Sequence, residues 1–187
     1  MVAVGVVWKT QKPAGNQVLP FNDPVLAMPT GPTIAVLPFN NMSGDPKQDF
    51  FADGITEQII TELTRFRNLF VIARNSTFKY KGAAIDVRQV GRELGARYVV
   101  EGSVRRIGET VRVTVQLLDA RSGAHLWAES YERDLSRAKF FGVQDEITER
   151  VVGAIGDTYG VISRATFDES KAKGTTSLDA YECVLHQ

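Results

Sequence analysis

The chain is poor in the residues on which most enzyme chemistry depends. Its 187 residues include one cysteine, Cys183, and two histidines, His125 and His186. A single thiol excludes an internal disulfide and any zinc site built from several cysteines. Two histidines leave little material for acid–base or metal chemistry. Charge of one sign is also lacking, because 22 Lys and Arg balance 22 Asp and Glu. That balance argues against a generally basic nucleic-acid binder and against a charge-swollen disordered chain. Long apolar runs are missing too. Met1–Trp8 is nearly all apolar but stops at Lys9, whereas a bilayer-spanning helix needs about 20 such residues. On residues alone it reads as the outer end of a truncated span, with Trp8 at the interface, or as a short strand or disordered end. It lacks the basic start and cleavage site of a signal peptide. Proline is absent after Pro46, so Lys9–Pro32 reads as an extended linker and the rest as uninterrupted helices and strands.

What is present is a 43% apolar chain with clear periodicity. Thr33–Phe39 is a short apolar run typical of a buried strand. Asn40–Gly44 follows as a polar turn. Asp45-Pro46-Lys47-Gln48 supplies an acidic cap, a proline at the first helical position and Gln where a capping box places it. Phe51, Ile55, Ile59, Leu63 and Phe66 then recur at helical spacing, with Asp53-Gly54 as a second start or a bend. Leu69–Ala73 reads as the next strand, extended by or paired with Thr77–Tyr80. Asp86–Gln89 opens a short helix through Leu94, and Gly95 stands at a left-handed cap. This order predicts parallel strands joined by right-handed crossovers. From Arg97 the period is two. Val111, Val113, Val115 and Leu117 alternate with Thr110, Arg112, Thr114 and Gln116, between strands at Tyr98–Arg106 and His125–Tyr131. A final amphipathic helix is expected over about Val143–Ile162. The predicted fold is α/β (mixed α+β): a roughly five-stranded mixed sheet, βαβαβ followed by an antiparallel meander, packed by helices.

No nucleophile elbow, G-x-G-x-x-G or P-loop pattern occurs. Asp45, Asp49, Asp53 and Glu57 recur every four residues, which would suit a hard cation. Acids in early helical turns also offset the macrodipole, and the spacing is not that of an EF-hand. No catalytic residue, metal or cofactor is therefore predicted. The candidate ligand- or partner-binding residues are Asn40, Asn41, Asp53, Arg74, Ser76, Glu101 and Ser103, around the ends of the first three strands. The structural account pairs Arg74 with Glu101, with Gly102 allowing close backbone approach. Lys79, Lys81, Arg88, Arg92, Arg97, Arg105 and Arg106 make a locally basic region. Without interleaved aromatics it points away from nucleic acid, while an anionic lipid surface stays open. Trp127 and Tyr131 share a strand face, as a binding platform or as core beneath the final helix. Gly153, Gly156 and Gly160 permit close helix packing within the domain or with a partner.

Five ordered motifs carry a resemblance. They are Ile34–Asn41 (IAVLPFNN), Phe50–Glu57 (FFADGITE), Leu94–Arg105 (LGARYVVEGSVR), Ala124–Leu135 (AHLWAESYERDL) and Val143–Ile147 (VQDEI). Together they resemble the TolB-like amino-terminal domain of bacterial adenylate/guanylate cyclase or winged-helix regulator proteins that carry tetratricopeptide repeats. The resemblance implies a domain at 33–165 and a linker at 166–177. Residues 178–187 would then start a repeat helix, and 1–8 would be the remnant of a transmembrane helix before the 9–32 linker. It implies a noncatalytic module of a membrane-associated signalling protein, binding a protein partner or small ligand on the periplasmic side of the inner membrane. A nucleotide-binding enzyme domain, or a spacer between span and repeats, are the alternatives. There is no β-propeller and no cyclase residue, so neither TolB's own role nor cyclase chemistry transfers.

Overall fold

The computed structural model describes residues 31–135, 140–156 and 160–173. The expected span remnant, nearly all of the 9–32 linker, Cys183 and the repeat-like segment lie outside them.

The first strand, β1 (Thr33–Val36), pairs in parallel with β3 (Phe70–Val71) on one side and β4 (Tyr98–Ile107) on the other. Pro38, which has no N–H to give, interrupts the ladder. The Phe39 N–H turns to Thr56 Oγ1 at 3.0 Å, and pairing with β4 resumes at β2 (Asn40–Asn41). The expected turn at Asn40 therefore begins as strand. A meander follows: β4, β5 (Thr110–Asp119) and β6 (His125–Asp134) are successive antiparallel neighbours. The sheet order is β3-β1-β4-β5-β6, with β2 beside β4. It is a mixed, open sheet packed by helices, as the sequence predicted, with six strands where about five were expected because β2 resumes the pairing beyond Pro38.

The turns carry the expected chemistry. Asp45 accepts from the Lys47 N–H at a short 3-10 turn, Pro46–Gln48, which leads into α1 (Asp49–Leu63). Asp86 caps α3 (Val87–Leu94), and Gly95 ends it at φ 64° in the left-handed conformation. One expected strand is absent. Arg74–Phe78 forms a short helix, α2, whose Thr77 hydroxyl folds back on the Arg74 carbonyl at 3.0 Å. Here burial of Tyr80 against Ala35, Val90 and Val99 overrides the β preference of Thr77 and Tyr80.

The crossovers from β1 to β3 and from β3 to β4 run in opposite directions along the sheet, so their helices lie on opposite faces of it. On one face Phe51, Ile55, Ile59 and Leu63 of α1 pack with Val143, Ile147, Val151 and Ile155 of α4 (Phe140–Gly156) over Ile34, Val36, Val100, Val113 and Val115. Tyr131 and Trp127 join this core, so the aromatic pair is covered rather than displayed. On the other face α2 and α3 cover only the β1 end of the sheet. The single helix expected over Val143–Ile162 is interrupted. α4 ends at Gly156 and α5 runs Val161–Lys173, so the segment read as a linker from 166 is helical as far as Lys173. Among the described residues no helix is long and apolar enough to cross a membrane.

Candidate functional site

Two polar surfaces hold the predicted contact residues. The first lies where α1 meets the chain after β2 and β3. Asp49, Asp53 and Glu57 recur every four residues and so line one flank of α1. Asn41 Nδ2 donates to Asp49 Oδ1 at 2.6 Å and to the Asp45 carbonyl at 2.8 Å. Lys81 Nζ donates to both Asp53 oxygens, at 2.7 and 2.6 Å, and lies 4.0 Å from Asp49. Arg74 Nε stands 3.5 Å from the Glu57 carboxylate without making a hydrogen bond, and its guanidinium stacks 3.7 Å from the centre of the Phe78 ring. The acidic row is thus met by protein cations. Among the described residues no group of three His, Cys, Asp or Glu side chains is placed to hold a metal.

The second surface is the uncovered part of the sheet. Alternation along β4 sends Val100, Gly102 and Val104 into the core and Glu101, Ser103 and Arg105 outward. Register places Asn40, Ser103, Thr114 and Ser130 side by side across β2, β4, β5 and β6, and the last two hydroxyls are 2.9 Å apart. Below them Arg105 faces Arg112, which is paired to Glu132 at 2.5 Å. Above them Glu101 faces Gln116. Gly102 makes the back of this surface thin, since a Cβ there would lie 2.6 Å from both the Phe39 ring and the Thr114 carbonyl.

The structure therefore divides the predicted residues. Asn40, Glu101 and Ser103 share the open sheet face, and Asn41 and Asp53 belong to the α1 cluster. Arg74 lies one turn along α1, opposite Glu57, so the ion pair expected between Arg74 and Glu101 is not made. Ser76 is half-buried on α2, its N–H on the Ala73 carbonyl at 3.0 Å. Sequence reasoning missed Lys81 as the partner of Asp53, and Ser130 and Glu132 as neighbours of the Thr114 row. The polar alternation of β5 was the available signal, but its partners depend on register. The basic region also dissolves. Lys79, Lys81, Arg88, Arg97 and Arg106 each pair with a carboxylate, leaving Arg92 and Arg105 unpaired among the described residues.

One carboxylate is strongly perturbed. Tyr80 Oη and Gln89 Nε2 donate to Glu93, and with Lys79 they hold its pKa down to about 2. Burial in turn pushes the Tyr80 hydroxyl up. These groups staple α3 to the segment after α2.

Fold and surface together define a mixed α+β domain whose polar groups are engaged with one another. Residues 30–150 match the second domain of HilA/YgeH-like transcriptional regulators, and the chain belongs to that family. It is 48% identical over 163 residues to a Rhizobium meliloti protein named "Putative adenylate cyclase 3". That match covers 87% of this chain but only 27% of the relative's length. Solved structures of similar shape include lipoprotein GNA1162 from Neisseria meningitidis, 22% identical with a TM-score of 0.49, covering 68% of this chain and 98% of that one. TolB from Acinetobacter baumannii is 24% identical with a TM-score of 0.42, covering 68% of this chain and 30% of that one.

Proposed function

We propose that this domain is a noncatalytic recognition module of a larger bacterial signalling protein. It engages a protein partner through the open face of β4–β6, centred on Asn40, Ser103 and Thr114. The observation that carries this reading is the polar row running across four strands on a face that the described helices leave uncovered. A solvated face serves stability without such a row, but a flat surface of hydroxyls and amides flanked by Arg105 and Glu101 suits a polar protein interface. The relative's name supports a regulatory region of an adenylate cyclase as the parent setting. In this reading the catalytic part lies elsewhere in the parent protein. The module is tethered by the segment before residue 33, faces the periplasm, and passes its signal through α5 to repeats beyond it.

The test uses the full-length parent. Ser103→Arg and Thr114→Arg add bulk on the outward face and are expected to abolish signalling output while the melting temperature holds. Arg74→Ala, on the other surface, is expected to leave output intact. If output survives both arginine variants and fails with Arg74→Ala, the interface lies at α1 and α2 instead. A melting temperature raised by ATP or GTP argues for the nucleotide-binding alternative. Reporter fusions on either side of the tether decide the membrane side.

A further inference from the structure

β6 stands at one edge of the sheet, with β5 on one side and no described strand on the other. It runs for ten residues. Proteins shorten, bulge or block such an edge, because its backbone can pair with another chain. The Leu135 N–H meets the Glu109 carbonyl at 2.7 Å, so the odd-numbered residues from 127 to 135 bond to β5 in the antiparallel ladder. The even-numbered ones turn their backbone groups outward. Among the described residues the N–H groups of Ala128, Ser130 and Glu132 meet no acceptor.

The side chains say what fits this edge. Trp127, Glu129, Tyr131 and Arg133 lie on the core side of β6, opposite Leu117, Val115, Val113 and Val111. Tyr131 is buried, and Trp127 and Leu135 are half-buried at the margin of the core. Glu129 and Arg133 carry opposite charges at equal spacing from Tyr131. Glu129 accepts from Tyr131 Oη at 3.0 Å and meets no cation among the described residues. Arg133 gives two N–H groups to Glu146 and one to the Glu132 carbonyl, which uses three of its five donors.

We propose that β6 pairs antiparallel with β6 of a second copy of this chain, about a two-fold axis at Tyr131. Only registers that set even-numbered residues opposite even-numbered ones join the outward backbone groups. Centred on Glu129 or on Glu132, the pairing sets like charges face to face. Centred on Ser130, it sets Glu129 against Tyr131 and Arg133 against Trp127. Centred on Tyr131, it sets Glu129 against Arg133 of the second copy twice over, with the two Tyr131 rings between them. Trp127 then meets Leu135 of the second copy, so the apolar layer continues across the axis. Opposite charges and aromatic pairs directly across strands are the favourable combinations. Ser130 and Glu132 exchange the backbone bonds. Such an isologous contact closes at two copies and leaves the open face of β4–β6 to its own partner.

Sedimentation equilibrium and amide exchange of the whole chain test the proposal. The mass is expected to rise with concentration from 20.6 kDa to twice that value. Amides 130 and 132 are expected to exchange more slowly in the dimer, while 129 and 131, already bonded to β5, change little. Ser130→Pro removes only an outward N–H, which edge strands tolerate, and is expected to stay folded and monomeric. Glu129→Arg is expected to weaken association about tenfold, as two exposed attractions become repulsions. Mixed with Arg133→Glu it is expected to dimerise again, because each copy then supplies the charge that the other lacks. A monomer at millimolar concentration overturns the proposal, as does failure of the two folded charge variants to associate. A dimer that Ser130→Pro and Glu129→Arg leave intact overturns it too. So does a dimer abolished by Ser103→Arg, since that residue lies on the open face.

Discussion

Single residues fix both a close contact in the sheet, at Gly102, and an acid-sensitive tie between α3 and the segment after α2, at Glu93. Gly102 sits where Phe39 crosses β4, and a methyl group there meets backbone as well as ring. Gly102→Ala is expected to cost about 1–3 kcal/mol, the range for overpacking a core, read as a lower urea midpoint. Glu93 is perturbed in the opposite direction from a buried acid. Its folded pKa lies near 2, below its ordinary value of 4.5. The stability it contributes is thus fully present above about pH 4.5 and lost as pH falls toward 2. Glu93→Gln is expected to flatten that part of the pH dependence, measured as urea midpoints from pH 5 downward, while leaving it unchanged above pH 5. A parallel fall in both proteins would show that other carboxylates govern acid unfolding.

At the level of elements, the glycines of α4 separate two jobs that sequence left undivided. A Cβ at Gly156 would come within 2.8–3.0 Å of three Phe66 ring atoms, whereas Gly153 faces open space. Gly153→Ala should therefore raise stability by about 1 kcal/mol through helix propensity. Gly156→Ala should lower it, because the ring supporting the α1–α4 contact must shift. Thermal melts of the two variants, moving in opposite directions, check this. Much of the fold was legible because local rules acted alone: the Asp45 and Asp86 caps, Gly95, the period-two run in β5 and the stripe of α1. The failures share a cause. Thr77 and Phe78 became helical and Lys79-Tyr80 a turn because Tyr80 has a distant core to enter, and the final helix is divided before Val161 and Ile162 of α5, which enter the core. The candidate site was half legible. Polar alternation announced an open face, but which strands lie across from Ser103, and that Lys81 answers Asp53, depend on contacts 11 and 28 residues apart.

For the whole molecule, α5 packs into the same core as the sheet. α5 buries Val161, Ile162 and Ser170, and its Glu169 reaches Arg97 Nη2 at 3.0 Å. The same guanidinium holds Asp119 at 2.9 Å, so one side chain joins the start of β4, the end of β5 and the last described helix. Its exposure is 20%, and that of Asp119 13%, which limits screening by solvent. Arg97 thus ties α5 to the sheet through Glu169. A double-mutant cycle of Arg97→Met and Glu169→Gln, by chemical denaturation, is expected to give a coupling of about 1 kcal/mol, at the upper end for partly exposed pairs. Arg97→Met alone should cost more than Glu169→Gln alone, because it also strands Asp119 at the sheet end. Zero coupling would mean that the Arg97–Glu169 contact adds nothing to the hold on α5, leaving it to the Arg121–Glu169 pair, the Tyr98–Thr166 contact and the apolar contacts.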